Sequence, residues 1–266
     1  MLRRPPGRPP EKAANPDGIR YGSPQSHVAQ YLDLHCHILP GIDDGAPDLP
    51  TSMAMLRELA DLGFVEICAT PHQRNGLFIP TEEAIADALT VFRNEARAAH
   101  PEMSFRLGAE NYWDEILIER LRKRTVPCYD GRRAFLCEVN PVLLPPHLDE
   151  ALFEIRLGGC LPVMAHPERY LPVQREVGFA ESLGKQAALV VDLEALAGGS
   201  TRAETKAARR LVEEGLAHAV ASDLHSPDAA PAVASGIAWI RKRLGEASLT
   251  RLLAEHPRRI LGGELP

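Results

Sequence analysis

Short apolar runs without polar alternation recur along this 266-residue chain between stretches of helical periodicity, which narrows the fold to parallel strands joined by crossover helices. Leu189-Val-Val-Asp-Leu193 is one such run, and its lack of alternation is what a strand covered on both faces shows. Between the runs, Leu49-Pro-Thr-Ser opens a helix with Met53, Leu56, Leu59, Ala60 and Leu62 on one face and Gly63 as its stop. Thr81, followed by Glu82 and Glu83, starts a second, with Ile85, Leu89 and Phe92 along one side. Further helices are expected over 147–158, 173–184, 200–215, 228–244 and 247–255. Strand and helix alternate about seven times, as right-handed parallel crossovers require, and both an open doubly wound sheet and a closed barrel fit.

The ends of the apolar runs share a chemistry. Asp33-Leu-His-Cys-His37 places His35 and His37 on one face of a strand, and Asp43 and Asp44 follow in a turn bounded by Gly41 and Gly45. Ile67-Cys-Ala-Thr-Pro-His72 ends in a second potential ligand and Phe105-Arg-Leu-Gly-Ala-Glu110 in a third. Ala134-Phe-Leu-Cys-Glu138, Cys160-Leu-Pro-Val-Met-Ala-His166 and Ala217-His-Ala-Val-Ala-Ser-Asp223-Leu-His225 follow the same pattern. Histidines satisfied by backbone carbonyls would explain one such end, but not six. Imidazole and carboxylate are the donors that borderline and hard divalent cations take. Six strand ends meet at one site only if they form a ring, so the ligand positions favour a barrel over an open sheet, whose outer strands lie too far apart.

Composition excludes several other functions. With a net charge of -6 and 45% hydrophobic residues, the chain reads as an ordinary soluble globular protein without the basic footprint of a nucleic-acid binder. No apolar run approaches the roughly 20 residues of a membrane helix, so no membrane insertion is expected. The five cysteines, Cys36, Cys68, Cys128, Cys137 and Cys160, are scattered and odd in number, reading as reduced thiols of a cytoplasmic protein with one bridge left open. Residues 1–30, rich in Pro, Arg and Gly, read as a disordered tail or as residues upstream of the true start, and 31–266 as one domain.

The strings Asp-Leu-His-Cys-His-Ile-Leu-Pro-Gly-Ile-Asp-Asp-Gly, Ala-Thr-Pro-His, Gly-Ala-Glu, Ala-His-Pro-Glu-Arg and Ser-Asp-Leu-His resemble those of the PHP (polymerase and histidinol phosphatase) superfamily. The first string and Arg74-Asn-Gly resemble, more narrowly, the PHP-type bacterial tyrosine-protein phosphatases of capsular and exopolysaccharide systems. The resemblance runs from Tyr31 to Leu261 and implies a distorted seven-stranded (β/α)7 TIM-like barrel with three divalent metal ions. It implies His35, His37, Glu110 and Asp223 around one ion, a bridging Glu110 with Glu138 and His166 around a second, and Asp44, His72 and His225 around a third. The choice of Asp44 over Asp43 comes from the family pattern alone. Manganese is the implied ion, with iron or zinc suiting the same donors. The implied partner is a tyrosine-phosphorylated protein, the tail of a membrane-associated bacterial tyrosine kinase, met in the cytoplasm. Gln73 departs from the pattern, in which many relatives carry a second His.

Such a centre suits hydrolysis of a phosphomonoester, and among the site residues His166 and Asp223 join Arg169 as the expected catalytic group. Arg169 and Arg74 can meet phosphoryl oxygens with their planar donor forks; pairing with the site's carboxylates is the structural alternative for either. Phe78, Tyr112, Trp113 and Tyr170 can stack on a phenyl ring or simply cap the barrel. Cys68 and Arg74 have the Cys-x5-Arg spacing of thiol phosphatases, but the loop lacks the glycines of a phosphate cradle and contains Pro71. A metal-dependent amidohydrolase would want a bridging lysine where Glu138 stands. A histidinol-phosphatase-like small-molecule enzyme and a non-catalytic metal-binding regulatory module are the remaining alternatives. His27, His100, His147, His218 and His256 are assigned no site role.

Overall fold

The computed structural model describes residues 30–131 and 133–266; the tail expected over 1–30 thus lies outside the described residues, Gln30 excepted. From β1 (Tyr31–Cys36) the chain passes through α1 (Leu49–Asp61) to β2 (Phe64–Ala69) and the short β3 (His72–Gln73). Helix α2 (Glu82–Ala99) leads to β4 (Ser104–Leu107) and β5 (Glu110–Tyr112), and α3 (Glu115–Lys123) to β6 (Ala134–Glu138). Helix α4 (Leu148–Leu157) precedes β7 (Leu161–Ala165), and α5 (Leu171–Arg175) and α6 (Val177–Gln186) precede β8 (Ala188–Asp192). Then come α7 (Leu193–Ala197), α8 (Arg202–Glu213), β9 (Ala219–Ala221), α9 (Ala230–Leu244), α10 (Glu246–Thr250) and α11 (His256–Leu261).

Every strand pairing among the described residues is parallel, as the unalternating runs require. The strands pair in two sheets, a three-stranded one in the order β1-β2-β4 and a six-stranded one in the order β3-β5-β6-β7-β8-β9. The division falls where Thr70 and Pro71 separate β2 from β3, and Gly108 and Ala109 separate β4 from β5. Pro71 has no N–H to give to a ladder. Gly108 sits so close to the Tyr129 ring that a Cβ there would lie 2.9 Å from its Cδ1. Hydrogen bonds from Gly108 N to Ala69 O and from Glu110 N to Pro71 O carry the alignment across the break. At the other edge, β1 meets the segment after β9 through a parallel bridge between Cys36 and Leu224.

Two apolar clusters hold these layers together. One gathers Leu32, Leu34, Cys68, Leu136, Val163 and Val190, and the other, packed under the helices, gathers Phe64, Ile67, Phe135, Met164, Leu189 and Leu211. Helix α1 starts one residue after its cap, Asp48, and Thr81 caps α2 as its position suggests. The single helix expected over 173–184 is two, because Glu176 between α5 and α6 is extended. The last helix, expected to stop near 255, continues through a π turn at Arg251–Glu255 into α11. There Pro257 lies in the first turn of α11, where a missing N–H is tolerated, and the widened turn before it gives its ring room. Helices α3 and α7 are additions to the expected set. None of the described helices is long and apolar enough to cross a membrane.

Candidate metal centre

A slip in β1 aims the first two histidines. Asp33 pairs with Ile67 and Cys36 with Ala69, so three residue steps on β1 match two on β2. The extra residue is a bulge, which reverses the facing of whatever follows it. Leu32 and Leu34 accordingly lie in one apolar cluster and Cys36 in the other, while His35 and His37 bring their Nε2 atoms to 3.1 Å from each other. Asp33 secures the bulge from beneath by accepting hydrogen bonds from Ser222 N at 3.0 Å and from the Ser222 hydroxyl. Asp223 N in turn donates to His35 O, and His37 N to Leu224 O. Gly45 closes the turn behind His37, where a Cβ would lie 2.1 Å from His37 O.

Glu110, at the start of β5, sits at the middle of the cluster. Its Oε2 is 3.3 Å from His35 Nε2, 3.4 Å from His37 Nε2 and 2.9 Å from His72 Nδ1, and its Oε1 is 2.8 Å from His166 Nε2. Asp223 Oδ1 lies 3.2 Å from His35 Nε2, and Glu138 Oε2 lies 4.0 Å from His166 Nε2. Asp44 Oδ1, half in solvent, is 3.4 Å from His72 Nε2 and 3.5 Å from His225 Nε2. Four overlapping groups bring donors within 4.8 Å of one another: His37, Asp44, His72 and His225; His35, His37 and Glu110; His35, His166 and Asp223; and His72, Glu110 and Glu138. Together these groups contain every ligand expected from the sequence. The partition differs in detail, since His72 rather than His166 stands with Glu110 and Glu138, and His37 joins Asp44, His72 and His225.

These donors converge on shared points rather than pairing off. Glu110 Oε2, Glu138 Oε1 and Asp223 Oδ1 are buried without a hydrogen bond of acceptable geometry, a costly arrangement unless a cation compensates it. Electrostatics point the same way. Burial lowers the affinity of His35 for a proton, but Asp223 and Glu110 outweigh it and raise the imidazole to about 9. Burial likewise opposes ionisation of Glu110, yet the neighbouring His35 and the bond to His166 hold its carboxyl well below the ordinary range. Glu138 is pushed up by burial and by Glu110 beside it. Nitrogen and oxygen donors packed this tightly fit divalent cations of the first transition row.

Asp43 and Asp44 separate by what they touch. Asp43 Oδ2 takes the His37 Nδ1 hydrogen at 2.8 Å and the His72 backbone N–H at 3.0 Å, and its Oδ1 takes Gly45 N at 3.1 Å. Although burial raises it, these bonds hold the Asp43 carboxyl down at about 2. Asp43 therefore orients His37 from behind, fixing the tautomer that leaves Nε2 facing inward. Nothing in the sequence distinguishes the two aspartates; the difference lies in which backbone N–H groups each one meets. His225 is oriented similarly, its Nδ1 donating to Asp223 O at 2.8 Å.

Arg169 is placed at the rim, its guanidinium Nη2 bonded to Asp192 Oδ2 at 2.5 Å and Asp223 Oδ2 at 2.6 Å, with 42% of the side chain exposed. Arg169 thus pairs with the site's carboxylates while part of its side chain stays open to solvent. Asp192, at the end of β8, and Glu168, wholly buried and donated to by Asp192 N, are site neighbours outside the expected set. Asp192 ends an apolar run just as the expected ligands do, a signal available in the sequence. His166 and Asp223 both adopt left-handed backbone, with φ of 36° and 48°, strain that non-glycine residues keep where a site needs it.

Arg74 places its guanidinium 4.1 Å over the Tyr112 ring and makes no ion pair among the described residues. Phe78 stacks on His72 with ring centroids 5.4 Å apart. Gln73, the departure from the family pattern, accepts a hydrogen bond from Arg120 at 3.0 Å. Tyr170 is buried with its hydroxyl donating to Ala165 O, so it caps the fold and offers no face to a substrate. Cys68 is fully buried in β2, and burial pushes its thiol well up. It can serve as no nucleophile, and the Cys-x5-Arg spacing is incidental.

Residues 31–262 match the family model described as capsular polysaccharide synthesis, CpsB/CapC. The chain is 29% identical to the tyrosine-protein phosphatase CpsB of Streptococcus pneumoniae over 241 residues, covering 88% of this chain and 99% of that protein. It is 31% identical to the tyrosine-protein phosphatase YwqE of Bacillus subtilis, covering 73% of this chain and 77% of that protein. A solved structure from work on YwqE of Bacillus subtilis and CpsB of Streptococcus pneumoniae, described as unique metal-dependent tyrosine phosphatases, superposes with a TM-score of 0.78 at 27% identity. That match covers 88% of this chain and 95% of the other.

Proposed function

Since the chain belongs to the CpsB/CapC capsular polysaccharide synthesis family, we propose that it is a metal-dependent protein tyrosine phosphatase. The observation that carries the reading is the convergence of buried, unbonded carboxylate oxygens from Glu110, Glu138 and Asp223 on the imidazoles of His35, His37, His72 and His166. His35, His37, Glu110 and Asp223 would hold one cation, Glu110 with Glu138 and His166 a second, and Asp44, His72 and His225 a third. Manganese is the ion we propose, iron and zinc being the alternatives that the same donors accept. Bound there, such ions would supply a hydroxide nucleophile at neutral pH and would neutralise charge on the phosphoryl group.

The remaining work falls to side chains. Arg169 orients a phosphoryl oxygen from the rim while Asp192 and Asp223 hold its guanidinium in place. Arg74, held over the Tyr112 ring, is the second side chain we propose to donate hydrogen bonds to the phosphoryl group. Phenol leaves with a pKa of about 10, so the reaction does not depend on a strong general acid, and none of the site residues is assigned that role. The unit we propose for this activity is residues 31–266. Counting β2 with β3 and β4 with β5 as single interrupted strands, and joining β1 to β9 through the Cys36–Leu224 bridge, supports reading it as a distorted seven-stranded barrel. The proposed partner is the phosphorylated tail of a membrane-associated tyrosine kinase of the capsule machinery, met in the cytoplasm.

Metal-stripped protein given back manganese should hydrolyse a phosphotyrosine peptide and leave histidinol phosphate untouched, and His166→Ala should lose the peptide activity. Turnover of histidinol phosphate alone would keep the chemistry and replace the substrate class. Absence of metal-dependent turnover on both would overturn the enzyme in favour of a metal-binding regulatory module.

A further inference from the structure

The five cysteines divide by environment. Cys36, Cys68 and Cys137 are fully buried in β1, β2 and β6, where burial pushes each thiol up. Cys128 and Cys160 are half-buried, 32 residues apart in sequence, and their Sγ atoms face each other at 3.8 Å. Cys128 lies in the segment between α3 and β6, and Cys160 in the turn between α4 and β7. Both line a groove of about 610 Å³ whose walls include Trp113, Leu121, Val126 and Ile155, and none of the nine expected ligands lines it.

We propose that Cys128 and Cys160 form a redox modification site, a dithiol that small disulfides of the glutathione class oxidise to an intramolecular disulfide. Closure needs the sulfurs to approach by about 1.8 Å to reach bonding distance. The backbone has room for it: Gly158 and Gly159 immediately precede Cys160, and Gly159, at φ +84°, has open space where a side chain would stand. The groove admits the oxidant to both sulfurs. Either thiol can donate to the other across the gap, so either sulfur can attack first and the other resolve.

The thiolate of one cysteine attacks one sulfur of the small disulfide, forming a mixed disulfide and breaking the S–S bond, and the expelled thiolate takes up a proton. The other cysteine then gives up its proton, and its sulfur attacks that of the first and expels the second small thiol. Two protein thiols are oxidised, and one small disulfide is reduced to two thiols. The product ties the segment ahead of β6 to the start of its neighbour β7.

The test uses the full, manganese-loaded protein treated with oxidised glutathione, then unfolded, alkylated and read by mass spectrometry. The expected result is loss of two of the five alkylatable thiols, no retained glutathione, and a peptide cross-linking Cys128 to Cys160. Cys160→Ser and Cys128→Ser should each stop at one glutathione adduct, on the partner cysteine that remains, with no cross-linked peptide. The proposal is overturned if both cysteines stay alkylatable under conditions that oxidise dithiothreitol. Loss of Cys36, Cys68 or Cys137 at the same rate, or a wild-type protein that stops at the adduct, would overturn it equally.

Discussion

Arg169 carries two obligations at once, because the guanidinium that can meet a phosphoryl oxygen is already tied to Asp192 and Asp223. If Asp192 is what keeps that fork at the rim, Asp192→Asn should lower kcat/KM for a phosphotyrosine peptide by about 10–100-fold, the usual penalty for removing a supporting carboxylate. Unchanged kinetics would detach Asp192 from the site. The expected ligands other than Asp44, which the family pattern alone supplied, were legible in the sequence because each is a His, Asp or Glu at or just beyond the end of an apolar run, and Asp192, which satisfies the same rule, could have been found by it. Asp43 could not. Its role is decided by the backbone N–H groups of His72 and Gly45, the first of them 29 residues away, and local pattern holds no record of such a meeting.

Among the elements, α3 does more than cover the sheet. Asp114 Oδ1 caps the helix through Ile116 N and Leu117 N, while its Oδ2 accepts Asn75 N from the loop that carries Arg74. Asp114→Ala should cost about 1 kcal/mol of stability through the lost cap and also raise KM for the peptide, since the loop is released. Thr201→Ala, which removes the capping box of α8, should cost a similar amount with KM unchanged, so denaturation midpoints and kinetics together separate the two effects. Helices with an explicit cap and a clear apolar face, such as α1 and α2, were readable from the sequence. Helix α3 was not, because charged residues dominate it and Leu117 is its one buried side chain. The interruptions at Pro71 and Gly108 were equally hidden: one depends on which ladder a missing N–H would have joined, the other on a tyrosine 21 residues ahead.

For the whole molecule, the site is a cost to folding unless it binds something. Glu110, Glu138 and Asp223 each bury an oxygen without a hydrogen bond, and an unfolded chain cannot gather these donors. Each cation that binds only the folded form should add about 2.7 kcal/mol at a hundredfold excess over its Kd, a Tm rise of roughly 5–10 °C per ion for a chain of this size. Calorimetry with manganese and with a chelator measures it, and His166→Ala should shrink the difference; an identical Tm with and without the ion would remove the metal from the folding balance. The slip in β1 also fixes how long that strand can be. Between Tyr31 and Leu32 one step on β1 matches two on β2, and between Asp33 and Cys36 three match two, so the two irregularities cancel and the strand leaves in the register in which it entered. A single insertion or deletion within Tyr31–Cys36 would leave one slip uncompensated and carry His35 and His37 out of step with Glu110, so the length of this short segment is constrained as tightly as the side chains it presents.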